Sequence, residues 1–353
     1  MLQFPWSEAP GFNQVIEIVP GVLWFRLPLP YRLDHVNIYL IDTGDGGWTV
    51  LDTGLGTDAC RQAWEALLEG PLRGQRLSSM LVTHFHPDHV GLAGWLDERF
   101  GLPLSMPRPE YLHSLAMQYV PADLGRKRQL QFYERHGLSP EATQSVLGRG
   151  QNYLRSTTGV PPTYHRIKHG DTLAPGTRSF RILTGGGHAL EQAMLYRPEE
   201  GLFFAADQVI AKISPNVSVH AIEPTLDALG IFLESLMSLR DVVAEDALVL
   251  PGHGLPFRGL HHRVAELIEH HMQRCQLIAE ACRETPLTVA ELVPFVFNRA
   301  LDEHQTGFAF GEVLAHVNYM LARGQLSLES AAGIERYRTR CGDSGARRPL
   351  IPG

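Results

Sequence analysis

The sequence predicts an α/β protein that keeps its chemistry where strands end. Short apolar runs recur along the chain, and several are followed at once by a histidine or an aspartate and a turn. Helical patterns of apolar residues separate these runs, as at residues 58–69 and 90–100. Loops at the ends of strands are where α/β folds place their ligand sites, so the two observations together indicate one site at a sheet edge.

The predicted elements follow in order along the chain. Apolar runs bounded by Pro and Gly predict strands at 14–18, 22–27, 36–42 and 48–52. Helical spacing predicts a helix at 58–69, with apolar positions at Cys60, Ala63, Trp64, Leu67 and Leu68. The same signals predict a strand at 79–82, a helix at 90–100, short strands within 164–210, a helix at 225–240 and a strand at 247–250.

One loop concentrates metal-binding side chains. Residues 83–89 read Thr-His-Phe-His-Pro-Asp-His, which places His84, His86, Asp88 and His89 within six residues. Histidine is the commonest protein ligand of metals, and a neighbouring carboxylate suits a divalent cation such as zinc. The segment therefore predicts a metal site between a strand and a helix.

Three further side chains stand where more ligands would be needed. His188, Asp207 and His253 each follow an apolar run and begin a turn, and glycines flank the two histidines. Glycine lets the backbone approach an ion without a Cβ clash. Any one of these residues alone is an ordinary core or surface residue, but three strand-end ligands after the first four favour a metal centre.

These motifs resemble the metallo-β-lactamase superfamily, which implies an αββα sandwich. By this resemblance His84, His86 and His188 hold one metal, Asp88, His89 and His253 hold the other, and Asp207 bridges both. Asp52, in Val50-Leu51-Asp52-Thr53-Gly54, corresponds to an acid that supports the site from the second shell of side chains. A bridging aspartate is typical of the hydrolase branch that includes glyoxalase II and related nucleases, whereas zinc β-lactamases carry a cysteine near that position.

Composition is that of a globular enzyme. Among 353 residues, 44% are hydrophobic and 20% charged, which is ordinary for a soluble protein. The first residues carry no basic segment followed by an apolar stretch, so neither a signal peptide nor a membrane helix is predicted. Four cysteines in this length do not form a disulfide framework. The predicted location is the cytoplasm, with no membrane partner.

The domain prediction is a catalytic domain at 1–259, interrupted by a helical lid insertion at about 103–162. The insertion holds seven basic and four acidic residues in a chain of net charge −7. Arg126, Lys127 and Arg128 are candidates for binding an anionic small-molecule substrate. The alternative is a solvated helix face, which is what most charge runs are.

Residues 260–330 are predicted to form a separate small helical domain, followed by a tail at 331–353 of which residues 342–353 are predicted to be poorly ordered. Their order of helices and a terminal strand resembles the winged-helix appendage of the lactamase-like protein 2 branch. Winged helices often bind nucleic acid, but residues 260–353 hold ten Arg and eleven Asp or Glu, which leaves no basic surface for it. Packing on the core or forming a homodimer are the structural alternatives.

The resemblance implies a hydrolase with two divalent ions, Zn²⁺ being favoured over Mn²⁺ or Fe. A hydroxide held by both ions would be the nucleophile, with Asp88 and Asp207 as the catalytic carboxylates. His220 is either a proton donor to the leaving group or a plain surface residue. The basic insertion favours a thioester or ester with an anionic carrier. The alternatives are a metallo-endoribonuclease or phosphodiesterase, a single-iron persulfide dioxygenase, and a non-catalytic protein that keeps its metals for stability.

Overall fold

The computed structural model describes residues 1–119, 125–147, 152–174, 178–298, 301 and 303–340. The chain divides into two compact units. The first comprises Met1–Val120, Gln151–Pro215 and Ser235–Val264. The second comprises Pro121–Gly150, Asn216–Glu234 and Ala265–Gly353. Each unit therefore draws on segments that are far apart in the sequence.

The first unit contains two β-sheets. The larger has seven strands in sequence order, namely β1 (Ile16–Val19), β2 (Val22–Pro28), β3 (His35–Asp42), β4 (Gly47–Leu51), β5 (Arg76–Leu81), β6 (Leu104–Pro107) and β7 (His165–Ile167). The smaller runs in the order β12-β11-β10-β9-β8, with β8 (Thr172–Leu173), β9 (Phe180–Gly185), β10 (Gln192–Arg197), β11 (Leu202–Ala206) and β12 (Leu248–Pro251). Strands β4 to β7 pair in parallel, as do β11 and β12.

Eleven α-helices lie in the described part of the chain. They are α1 (Asp58–Glu69), α2 (Pro87–Val90), α3 (Ala93–Phe100), α4 (Arg108–Tyr119), α5 (Arg126–Arg135), α6 (Pro140–Leu147), α7 (Asn152–Arg155), α8 (Ala228–Val242), α9 (Leu260–Ala281), α10 (Val289–Val296) and α11 (Glu303–Ala322). The predicted helix at 58–69 coincides with α1. Most other predicted elements differ from the observed bounds by a few residues.

Strand β3 shows why the sheets form a sandwich. Its residues are buried on both faces, so its sequence reads as a nearly continuous apolar run. Val36, Ile38 and Leu40 enter one core with α1 and α3, whereas Tyr39 and Ile41 enter a second core that both sheets share. One helix layer thus covers the outer face of the larger sheet, and the smaller sheet covers its inner face. The predicted αββα sandwich is confirmed.

The predicted helix at 90–100 is wrong as a single element, because the chain breaks it after α2. The backbone N–H of Leu92 donates to the carbonyl of Gly54 (3.2 Å) and to Thr53 Oγ1 (3.1 Å), and not to the preceding turn. Helix α3 begins only afterwards, at Ala93. Tertiary hydrogen bonds to the loop after β4 therefore override the local helical pattern and anchor the segment that carries the predicted ligands.

The predicted insertion at 103–162 does not form one lid. Its beginning and end belong to the first unit, where β6 joins the larger sheet between β5 and β7. Its middle, residues 125–147, belongs to the second unit, where Phe132 packs edge-on to Phe310 at 6.3 Å and Ala290 N–H donates to the carbonyl of His136. Two short helices cannot bury their own apolar faces, so they share a core with α10 and α11.

The second unit also extends beyond the predicted domain at 260–330. Residues 216–234 join it, since Asn318 Nδ2 donates to the carbonyls of Pro224 and Leu226 at 3.0 Å each. A hairpin closes the unit, with β13 (Leu326–Ala331) antiparallel to β14 (Ile334–Thr339). Strand β14 lies in the predicted tail at 331–353. The remainder of that tail, 341–353, is outside the described residues, and the winged-helix assignment stays a prediction.

Two structural facts bear on the predicted compartment. No helix in the described part of the chain is long and apolar enough to cross a bilayer. Cys60, Cys275 and Cys282 are buried free thiols. The cytoplasmic location itself stays a prediction.

A pair of histidines lies in the core of the second unit. His316 and His271 are fully buried, and His316 Nδ1 lies 2.7 Å from the carbonyl of Glu312. A carbonyl can only accept, so Nδ1 of His316 carries the proton and its Nε2 accepts from Nδ1 of His271 at 3.1 Å. Burial lowers the pKa of His316 to about 3 and the pKa of His271 well below its ordinary value. Both rings are therefore neutral in the folded protein.

This buried pair makes the unit sensitive to acid. The unfolded chain protonates a histidine below about pH 6.5, whereas the folded protein resists protonation of His316 down to its lowered pKa. Stability is thus intact above about pH 6.5 and declines as the pH falls. We expect His316→Gln to reduce the loss of unfolding free energy between pH 7 and pH 5 by about 2 kcal/mol. Denaturant titration of the chelator-treated protein at both pH values measures the unfolding free energy, with the exposed His262→Gln as control. Equal losses of unfolding free energy in the parent and in His316→Gln would contradict the prediction.

Candidate metal centre

Strand ends in the first unit bring the predicted ligands together. Asp52 directly follows β4, His84 lies three residues after β5, Asp207 directly follows β11 and His253 lies two residues after β12. The parallel pairs β4–β5 and β11–β12 present their carboxyl ends at the same edge. His188 occupies the turn between β9 and β10. Residues far apart in the sequence, from Asp52 to His253, are therefore brought together by the sheet topology.

The seven predicted ligands form three overlapping groups of donor atoms. His84, His86 and His188 form one group, and Asp88, His89 and His253 form another. The third joins His84 and His89 to Asp207, and within each group the donor atoms lie no more than 4.8 Å apart. The first two groups coincide with the two sets that the resemblance implied. As metal ligands, the individual residues stay predictions.

Asp207 occupies the middle of the cluster. Its Oδ2 lies 3.3 Å from His253 Nε2, and 3.5 Å from Nε2 of both His89 and His188. His188 belongs to one histidine group and the other two belong to the second. Asp88 is less central, since its Oδ2 lies 3.3 Å from His253 Nε2 and 3.8 Å from His89 Nε2. Of these two aspartates, Asp207 thus has the position that a bridging carboxylate needs.

Asp52 orients the cluster from behind. Its Oδ2 lies 2.8 Å from Nδ1 of His89, and its Oδ1 accepts from the backbone N–H of Thr83 at 2.8 Å. The Thr83 hydroxyl lies 3.0 Å from Asp52 and 2.9 Å from Nδ1 of His84. With Nδ1 engaged, each ring turns its Nε2 toward the centre, as metal-binding histidines commonly do. The role of Asp52 in supporting a metal site stays a prediction.

His253 is oriented in the same way by backbone. Its Nδ1 donates to the carbonyl of His35 at 2.8 Å, which directs Nε2 to the two aspartates. The loop that carries it is fixed through the carbonyl of Pro251, which accepts from Asn37 Nδ2 (2.9 Å) and the Tyr39 hydroxyl (2.8 Å). Strand β3 of the larger sheet therefore holds a ligand loop of the smaller sheet.

The backbone is strained at two of these strand ends. Asp52 and Ala206 have φ values of 62° and 46°, in the left-handed region that side chains with a Cβ disfavour. Such residues cost on the order of 1–3 kcal/mol and cluster at functional sites. Gly252 is needed for a different reason, because a Cβ there would lie 2.2 Å from Oδ1 of Asp207. Close approach of the β12 loop to Asp207 thus requires glycine.

Burial and neighbouring charges shift the pKa values of the carboxylates and imidazoles in the cluster. Burial would raise the pKa of the Asp207 carboxyl, but the charges of His253 and His89 hold it well below its ordinary value. Burial would lower the pKa of His253, but Asp207 and Asp88 raise it to about 10. Burial together with neighbouring imidazoles keeps the pKa of His84 and His86 well below the ordinary value. Two carboxylates therefore draw positive charge into the site, and His84 and His86 are in the neutral form that binds metal.

These observations fit divalent metal ions, which the fold family implies. Nε2 of His89 and Oδ1 of Asp207 are buried and form no hydrogen bond with any described residue. Buried polar atoms without partners are rare, and a metal ion would satisfy both. Imidazole nitrogens with two carboxylates are a donor set that zinc binds readily. The residues of the cluster therefore fit divalent metal ions.

The structure adds residues that the sequence did not single out. Thr83 links Asp52 to His84, as described above. Glu110, at the start of α4, is fully buried and accepts from the backbone N–H groups of Phe85 (3.0 Å) and Glu191 (2.5 Å). Burial raises its pKa to about 7, against the effect of these two donors. No sequence signal distinguishes Glu110 from other helical acids, because its partners are backbone groups 25 and 81 positions away.

The predicted substrate residues belong to the second unit, whereas the cluster lies wholly in the first. Arg126, Lys127 and Arg128 form the exposed first turn of α5, and Arg126 donates to Gln144 at 2.6 Å. His220 is exposed in the segment before α8. Their roles in substrate binding stay predictions.

Comparison with known proteins identifies two matching family descriptions and several related proteins. Residues 31–253 match the family described as Metallo-beta-lactamase superfamily, and residues 275–340 match that described as Metallo-beta-lactamase-like, C-terminal domain. The probable metallo-hydrolase YqjP of Bacillus subtilis (strain 168) is 22% identical over 308 residues, which cover 85% of this chain and 92% of YqjP. The atrochrysone carboxyl ACP thioesterase of Passalora fulva is 23% identical over 361 residues, which cover 98% and 89% of the two chains.

A solved structure resembles almost the entire chain. The beta-lactamase domain protein from Burkholderia ambifaria is 38% identical, with a TM-score of 0.86 over 96% of this chain and 97% of that one. The finer resemblance to the lactamase-like protein 2 branch stays a prediction. The family match across both sheets and the ligand cluster, together with this similarity over nearly the full length, shows that the chain belongs to the metallo-β-lactamase superfamily.

Proposed function

We propose that this protein is a metal-dependent hydrolase of thioesters or esters whose leaving group is attached to an anionic carrier. The observation that carries the proposal is the cluster of seven His and Asp side chains in three overlapping groups. Its two outer groups share Asp207 as neighbour, so it is suited to two ions. Zinc is the preferred ion for this donor set, with manganese or iron as alternatives.

The chain's own residues do the positioning. His84, His86 and His188 would hold one ion, Asp88, His89 and His253 the other, and Asp207 would contact both. Bound divalent ions supply an activated water and polarise the carbonyl that it attacks. Asp52 and Thr83 keep His89 and His84 turned inward, so ligand geometry is set before any ion or substrate arrives. No Ser or Cys nucleophile is needed.

The thioester is favoured by the relatives. The Passalora fulva protein is named as a thioesterase acting on an acyl carrier protein, and it aligns with nearly all of this chain. YqjP is named as a metallo-hydrolase. Metal-dependent hydrolysis of a carrier-bound acyl group is consistent with both names and with the cluster of predicted metal ligands.

The anionic carrier is favoured by the start of α5. Its first turn contains Arg126, Lys127 and Arg128 and no acidic residue. A helix N-terminus already bears a partial positive charge, so three cations there are locally unfavourable by some tenths of a kcal/mol each. Cations that are unfavourable for the helix itself favour a role in binding a ligand. Binding of a phosphate or carboxylate at this helix N-terminus would offset the repulsion.

Metal analysis combined with a substrate screen tests the proposal. We expect two divalent ions per chain and turnover of acyl-thioesters of coenzyme A or glutathione that chelation abolishes. Cleavage of RNA or a phosphodiester in place of thioesters would replace it with the nuclease. One iron per chain together with oxygen consumption would indicate the persulfide dioxygenase instead of the hydrolase. Metal binding without any turnover would indicate the non-catalytic protein.

Asp207→Ala should lower kcat by about 100-fold or more while the fold persists, because the variant loses the carboxylate that both ions would share. The circular dichroism spectrum should be unchanged and the metal content should fall below two ions. Asp241→Ala, an exposed aspartate in the same unit, is the control. Turnover close to the parent's in the Asp207 variant would reject the shared-carboxylate role.

Simultaneous replacement of Arg126, Lys127 and Arg128 by Ala should raise KM for a coenzyme A thioester about ten-fold or more. Its kcat for a short neutral ester should stay near the parent value, since the three cations bind a remote part of the substrate. The salt dependence of KM should weaken as well. A variant in which Arg73, Arg240 and Arg283 become Ala removes the same charge elsewhere. Equal KM values in the two variants would show that the basic run is a solvated face.

A further inference from the structure

The backbone of Phe85 is held from both sides. Phe85 lies between His84 and His86, and its N–H donates to Oε2 of Glu110 at 3.0 Å. Its carbonyl accepts from the Tyr153 hydroxyl at 2.9 Å. The ring of His113 lies 4.2 Å from the Phe85 ring, so a third side chain covers the same residue. All three partners come from the segments that begin and end the predicted insertion.

These two hydrogen bonds grip different peptide groups. The N–H belongs to the peptide that joins His84 to Phe85, and the carbonyl belongs to the peptide that joins Phe85 to His86. Holding both peptides fixes the two soft dihedral angles of Phe85, which set the direction of His86 relative to His84. His84 Nε2 and His86 Nδ1 lie only 2.9 Å apart, so a change in the Phe85 backbone would alter the distance between these two ring nitrogens.

The same carboxylate also reaches the loop of a third predicted ligand. Oε1 of Glu110 accepts from the N–H of Glu191, three residues after His188. Glu110 thus bridges the two loops that carry the group His84, His86 and His188. A fully buried carboxylate is costly unless it is well hydrogen-bonded, and an apolar side chain would fill the space at lower cost. Its presence is therefore better explained by what it holds than by packing.

We infer that Glu110 and Tyr153 are positioning residues, which set the three imidazoles of this group in the geometry that binds a metal ion. The inference rests on the proposed metal-dependent function. It assigns the ends of the insertion a role in building the metal centre, separate from any role of its basic middle part in substrate binding. Hydrogen-bond partners of ligand loops typically change metal affinity about 10- to 100-fold when they are removed.

Glu110→Gln is the sharpest test, because it keeps size and shape but replaces one acceptor oxygen by an NH₂ group. One of the two backbone N–H donors then faces another donor. We expect the dissociation constant for Zn²⁺, measured on the full chain by competition with a chromophoric chelator, to rise about 10-fold or more. The visible absorption of the Co²⁺-loaded protein should change, because it reports ligand geometry. The unfolding temperature of the metal-free protein should fall by only a few degrees, because one buried N–H loses its acceptor.

Exposed matched variants provide the controls. Glu98→Gln changes an exposed glutamate on α3, and Tyr119→Phe removes an exposed hydroxyl on α4. Tyr153→Phe deletes only the hydroxyl that holds the Phe85 carbonyl, and it should weaken Zn²⁺ binding by about 3- to 10-fold. This variant decides the matter if Glu110→Gln does not fold.

The outcomes separate this inference from the proposed function. Zn²⁺ affinity and Co²⁺ spectra equal to the parent's in folded Glu110→Gln or Tyr153→Phe would overturn the positioning role and leave the hydrolase intact. A drop in metal-free stability with unchanged Zn²⁺ affinity would likewise overturn it, since that is the signature of a merely structural contact. A parent chain that does not bind Zn²⁺, Mn²⁺ or Fe would overturn the proposed function and the inference together.

Discussion

The buried carboxylate of Asp207, with the half-buried Asp88 beside it, imposes the constraint on which the candidate metal centre depends. Negative charge in a protein interior is tolerated only where positive charge and hydrogen bonds compensate it. Here Asp207 stands within 3.5 Å of three imidazoles, and its charge raises the pKa of His253 and His89 against the effect of burial. The site is therefore built for cations, and the imidazoles that carry protons occupy the electrostatic role that metal ions would take.

This demand explains the unusual backbone around the cluster. Asp52 and Ala206 lie in the left-handed region, and Gly252 leaves room for Asp207 where a Cβ would collide. Isolated turns would relax such strain. Two packed sheets prevent it, because Asn37 and Tyr39 of β3 hold the carbonyl of Pro251 while Asp52 holds Thr83. The packing of the two sheets thus keeps the loops in the strained conformations that position the predicted ligands.

The inserted region illustrates how one segment can serve two compact units. Its ends are fixed within the first unit by backbone hydrogen bonds, such as those from Gly56 to Ser156 and from Thr158 to Gly91. Its middle helices are too short to form a core of their own and share one with α10 and α11 in the second unit. Contacts to the metal-binding loop come from the ends, whereas the exposed basic run lies in the middle. Two parts that look like one lid in the sequence therefore belong to different compact units.

The sequence by itself determined an α/β fold, helix α1 to the residue and the set of side chains that meet at the centre, and its resemblance to the metallo-β-lactamase superfamily implied the αββα class. It could do so because apolar runs, turn residues and the close spacing of His84, His86, Asp88 and His89 are local signals. Apart from Asp52, tertiary structure alone decided which residues contact the loops that carry the predicted ligands. Glu110 and Thr83 act through backbone groups and neighbouring side chains that no periodicity marks, and the break between α2 and α3 follows from bonds to the loop after β4. Likewise, helices at 125–147 joined α10 and α11 because only the folded chain offers them an apolar partner, and sequence distance says nothing about where such a partner lies.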